Sequence, residues 1–149
     1  MILSDFKVLE KKGRLLGIDW GARRTGIAVS DETKEFVFAR EPVLAENVDN
    51  QVDKILDLLK SEKVVGIVLG LPLRMDGGDS DTTIAVRAFA QKLSDRTDVP
   101  IVFLDETLSS AEAQGQMGRV RPHEIREKLD SQAARVILEN AIAIIKRGC

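Results

Sequence analysis

Three carboxylates stand where an acid is either costly or conspicuous: Asp19, Glu106 and Asp130. Asp19 falls near the end of a short apolar run, Arg14 to Trp20, that reads as a buried strand. A carboxylate on such a strand must be paired, hydrogen-bonded or bound to a cation. Its plainer reading is a cap on the next turn, since Asp-x-Gly is common turn chemistry. Glu106 follows Asp105 at the end of another strand, where alternation sends one of the two inward. Its plainer reading is a cap for a helix starting near Ser109 or Ser110. Asp130 opens the last helical pattern, and as an N-cap or first-turn acid it would need no further explanation. Brought together, three acids with neither His nor Cys form a hard oxygen-donor set that suits Mg2+ or Mn2+, one ion or two. Ions held in this way are the usual machinery for in-line hydrolysis of phosphodiesters.

Basic residues gather at the same places. Arg23 and Arg24 follow Asp19 in a Gly-flanked turn, Arg74 lies in the loop after the fourth strand, and Arg119 and Arg121 precede Asp130, with Arg126 and Lys128 between. Each alone reads as a solvated surface charge. Clustered beside the acids, they are candidate substrate-binding residues, because a phosphate-directed metal site needs both signs of charge.

The elements that must position these groups follow from hydrophobic periodicity. Arg14–Trp20, Thr25–Asp31 and Glu35–Glu41 read as three strands with short connections, hence an antiparallel meander. From Val48 to Leu59 the apolar spacing changes to three and four, a helix with Asn47 as its N-cap. The β-branched run Val64–Gly70 reads as a strand buried on both faces. Ser80 or Asp81 caps a helix through Ile84, Ala88 and Leu93, and Val99–Leu104 is a fifth strand. The remainder is helical in pattern, broken around Gly118 to Pro122, with a last stripe through Leu129, Ala133, Val136, Ile137, Ala141, Ile144 and Ile145. The order β-β-β-α-β-α-β-α predicts an α/β fold, a five-stranded mixed sheet with helices on both faces. It gathers strand ends and the start of the last helix at one edge. Residues 1–13 read as an extension ahead of a single domain spanning 14–149.

Composition narrows the chemistry further. A length of 149 residues suits one compact domain. One Cys, at position 149, and one His, His123, cannot build a structural zinc site or an internal disulfide, and a reducing cytoplasm is the expected compartment. The apolar run from Val64 to Leu73 is too short and too rich in Gly and Pro to span a membrane. A net charge of −2 and an aromatic content of 4% argue against a basic or base-stacking nucleic-acid binder, so the location of charge has to carry that case.

GIDWGARRTGIAVSD, VVGIVLGLPLRMDG, Phe89-Ala90, DETLSSAEA and KLDSQAARVIL, in that order, resemble the motifs of the YqgF/RuvX family, and the resemblance runs from Arg14 to Arg147. The family is described by two activities, resolution of Holliday junctions and processing of pre-16S rRNA. The resemblance implies an RNase H-like fold, with Asp19, Glu106 and Asp130 as the catalytic, metal-binding acids. Arg23 and Arg24 match the basic positions of the first motif. One departure stands out: the family's Asp-Glu-Arg at the fifth strand is here Asp105-Glu106-Thr107. A hydroxyl cannot replace a guanidinium that pairs a phosphate; Arg119 or Arg121 could supply that charge from the loop. The expected function is a divalent-metal-dependent nuclease acting on structured nucleic acid, with 5′-end maturation of pre-16S rRNA as the favoured role. Junction resolution and non-catalytic binding are the alternatives. The expected partner is an rRNA precursor or branched DNA, and the expected state a monomer or weak homodimer.

Overall fold

In the computed structural model, the described residues are 2–3, 6–10, 12–72, 80–105 and 122–147, with side chains of the last helix described from 132 onward. A sheet of six strands has the spatial order β1-β6-β5-β2-β3-β4. The three meander strands are β2 (Arg14–Asp19), β3 (Arg24–Ser30) and β4 (Val37–Leu44), with β3 antiparallel to both of the others. Helix α1 (Val48–Ser61) then crosses to β5 (Val64–Leu71), which lies parallel to β2, and α2 (Asp81–Ser94) crosses to β6 (Ile101–Asp105), parallel to β5. Helix α3 (Pro122–Lys146) ends the fold.

Alternation along β2 divides the interior in two. Leu16 and Ile18 face a core shared with Val52 and Ile55 of α1 and Phe89 and Leu93 of α2. Leu15 faces the opposite core, built from Ala134, Ile137, Leu138, Ala141 and Ile142 of α3. The α1 and α3 layers therefore sandwich the sheet, and β5, apolar throughout, is buried on both sides.

Four details depart from the sequence expectation. The third strand starts at Val37 and not Glu35, because the Asp31 carboxylate accepts the backbone N–H groups of Glu35 and Phe36 at 2.9 and 3.0 Å and holds them in the turn. On α2, Ile84 is 58% exposed and Ala88 exposed; the buried face runs through Thr83, Val86, Phe89, Ala90 and Leu93. Ser80 fixes that rotation, its side chain and that of Thr83 forming a reciprocal capping box. Helix α3 begins at Pro122, so Asp130 lies inside it and does not open it, and its buried stripe adds Ala134, Leu138 and Ile142.

The fourth departure concerns the N-terminus. Ile2–Leu3 form β1, a sixth strand parallel to the edge of β6, with Ile2 opposite Ile101 and Leu3 opposite Val102. A 3-10 turn over Phe6–Leu9 follows, and Leu9 is fully buried in the α3 core. Its Cδ2 sits 2.6 Å from where a Cβ on Gly66 would be, so the glycine is the socket for this leucine. Gly13, at φ +135°, turns the segment back over the sheet.

Candidate functional site

Because β2, β5 and β6 are parallel, their C-terminal ends share one edge of the sheet: Asp19, Leu71 and Asp105, with Leu71 paired to Asp105. The antiparallel β3 begins at that edge, with Asp19 opposite Gly26. Asp19 is half-buried and alternates to the same sheet face as Leu15 and Gly17, the face covered by α3.

Helix α3 rests directly on that face. A Cβ at Gly17 would lie 2.8 Å from Cβ of Leu138 and 2.9 Å from the carbonyl oxygen of Ala134. Farther along, Ile142, Ile145 and Lys146 line one open cleft with Glu10, Lys12 and Thr33 at the opposite edge of the sheet. The helix therefore runs away from the Asp19 edge, and the backbone of Asp130, one turn before Ala134, belongs to its Asp19-proximal half.

The turn after Asp19 is locked. Its Gly21 has no room for a side chain, since a Cβ would lie 2.1 Å from the carbonyl oxygen of Arg24. Gln51 of α1, fully buried, accepts the indole N–H of Trp20 at 2.8 Å. The same amide donates to the carbonyl of Gly21 at 2.7 Å and to Oγ1 of Thr25 at 2.8 Å. Trp20 also packs against Phe89 at 6.5 Å between ring centroids. On this frame Arg23 is exposed and Arg24 half-buried. Arg23 lines an open groove of about 510 Å³ with Asn47, Asn50 and Lys54.

Of the predicted site residues, the structure thus places Asp19, Arg23 and Arg24 together at one strand-end edge. Glu106, Arg74, Arg119, Arg121 and Thr107 lie outside the described residues, as does the side chain of Asp130. Among the described residues no three His, Cys, Asp or Glu side chains form a group able to hold a metal ion. The sequence reading missed Gln51, although a signal existed: a Gln one turn from Val48 and one from Ile55 sits on the apolar stripe of α1, where a buried amide needs partners.

A three-strand meander continued by helix-linked parallel strands, with carboxylate and arginines at the strand-end edge, defines an RNase H-like α/β protein. Solved structures share this fold. RuvC of T. thermophilus, in complex with Holliday junction substrate, superposes with a TM-score of 0.57 at 12% identity, covering 91% of this chain and 96% of that one. The fowlpox virus resolvase, bound to junction DNA, gives 0.54 at 11% identity, covering 89% and 98%. The family profile of RuvX, described as Holliday junction resolvase, matches residues 13–143, and the chain belongs to that family. A relative from Maridesulfovibrio salexigens is 40% identical over 132 residues, 87% of this chain and 98% of its own length. Another from a Bradyrhizobium strain is 34% identical over 137 residues, covering 89% and 83%. Both carry the provisional name pre-16S rRNA nuclease. Membership sets the class of chemistry as hydrolysis of phosphodiester bonds in nucleic acid.

Proposed function

We propose that this chain is a divalent-metal-dependent nuclease that matures the 5′ end of pre-16S rRNA in the cytoplasm. The observation that carries this reading is the Asp19 carboxylate at the strand-end edge with the Arg23–Arg24 turn beside it. Asp19, Glu106 and Asp130 would hold Mg2+ or Mn2+, which would supply an activated water and offset charge on the leaving oxygen. Arg23 and Arg24 hold the phosphate backbone, with Arg74, Arg119 and Arg121 completing the contact. The hard carboxylate donor suits such an ion.

A monomer suffices for this role, since trimming one precursor end needs a single site. The β4 edge carries Arg40, Glu41 and Pro42, which discourage strand pairing with a second copy, and β6 is covered by β1. The test incubates wild type and Asp19→Asn with a labelled rRNA precursor and a four-way junction, with and without Mn2+. Metal-dependent trimming of the precursor by wild type, reduced by at least about 100-fold in Asp19→Asn, is the expected result. Paired symmetric cuts in the junction would favour the resolvase. Binding without cleavage of either substrate would overturn the catalytic reading.

A further inference from the structure

The Gln51 amide makes three hydrogen bonds whose polarity leaves no choice of orientation. The indole of Trp20 can only donate, so it must meet Oε1; the carbonyl of Gly21 can only accept, so it must meet Nε2. Both Nε2 hydrogens are used, the second on Thr25 Oγ1. That hydroxyl also donates to the Gly21 carbonyl at 3.2 Å and accepts the Gly21 N–H at 3.4 Å. Gln51 therefore clamps both limbs of the turn: the exit from β2 directly after Asp19, and the entry to β3 directly after Arg24. Yet Gln51 is on neither strand. It reaches the turn from α1, whose N-cap Asn47 accepts the backbone N–H of Asn50 and fixes the start of the helix.

We propose that Gln51 is a positioning residue for substrate, acting through the Gly21–Thr25 clamp to hold Arg23 and Arg24 in the orientation that meets phosphate. The inference rests on the nuclease reading for what the arginines bind, but the clamp is observable without it. Trp20 is the chain's single tryptophan, so its emission reports the indole hydrogen bond directly. Phosphate contacts depend on pre-set geometry, and a loosened turn lowers affinity before it touches the chemical step.

The experiment compares wild type with Gln51→Met, which keeps the side-chain volume and removes all three hydrogen bonds. Thr25→Val, which removes only the hydroxyl, and Thr25→Ser, which restores it, complete the series. Each protein is read by tryptophan emission, thermal unfolding, and cleavage of the labelled precursor well below the unfolding temperature. Gln51→Met is expected to shift the Trp20 emission and raise KM about tenfold, with a smaller fall in kcat because Asp19 is still held by its pairing with Gly26. Thr25→Val should raise KM similarly and Thr25→Ser should return it towards wild type. A shifted emission with unchanged KM would overturn the proposal, leaving the network a purely structural tie. If wild type cleaves nothing, the nuclease reading fails by itself. The proposal is then decided by anisotropy with the same labelled RNA, where wild-type affinity in Gln51→Met and Thr25→Val would sink it.

Discussion

The Asp31 carboxylate accepts the backbone N–H groups of Phe36 and Glu35 and the hydroxyl of Thr33, and these bonds act on its ionised form. Chiefly through the Phe36 N–H and the Thr33 hydroxyl, its pKa falls from 3.8 to about 2. A carboxylate with a depressed folded pKa stabilises the protein above its unfolded value and loses that contribution as pH falls towards the folded one. The unfolding temperature should therefore fall as pH drops from about 4 to about 2 in wild type, and Asp31→Asn should flatten that segment of a melting-temperature-versus-pH series. An unchanged slope in the variant would refute the assignment. At this scale the sequence was legible where a residue type is odd for its place, as with Asp19 on an apolar strand. It was less legible where meaning lies in partners. Nothing local says that Asp31 will gather amides four and five residues on, or that Gln51 will find Trp20 across the core.

Secondary structure elements are where periodicity spoke most clearly and also where it misled. Among the described residues, the strands from Arg14 onward and the three α-helices were readable, because strand burial and helical stripes have distinct periods. The rotation of α2 was not. A stripe through Ile84 and Ala88 looks as apolar as the true one, and the Ser80–Thr83 box decides which face turns inward. Asp130 fails in a related way: its helix starts earlier than the polar residues around it suggest, since Pro122 is well suited to a first turn. The contact between β2 and α3 yields a sharp prediction. Gly17→Ala puts a methyl against Leu138 and the Ala134 carbonyl, so the helix must lift from the strand. The expected loss is about 1–3 kcal/mol in denaturant unfolding. A fall in cleavage should accompany it if Asp130, on the same helix, is the ligand proposed above. Unaltered stability would mean that α3 does not press on the strand at Gly17.

Across the whole molecule, charge is arranged by place and not by total. Asp49 and Asp53 are exposed on α1 and pair with Lys92 and Arg96 of α2. Part of the acid behind the net charge of −2 is thus tied up in helix-to-helix ion pairs, and the described strand-end edge carries both signs, Asp19 and Asp105 with Arg23 and Arg24. The N-terminal segment is the feature least legible in sequence, since two residues of strand and one leucine carry no periodicity. It also precedes residue 13, where the family match begins. Its packing is testable as a pair. Leu9→Ala should cost about 2–5 kcal/mol as a buried truncation. Gly66→Ala should cost less in that background than in wild type, because the clashing Leu9 methyl is gone. Additive losses would mean that Leu9 and Gly66 do not touch. The pairing of Ile2 with Ile101 also orders events in time. The meander can zip from neighbouring segments, but β1 has no edge to join until β6 is in place. Of the pairings in this sheet, that of β1 with β6 spans the longest stretch of sequence, and by loop-closure entropy it is the costliest to form.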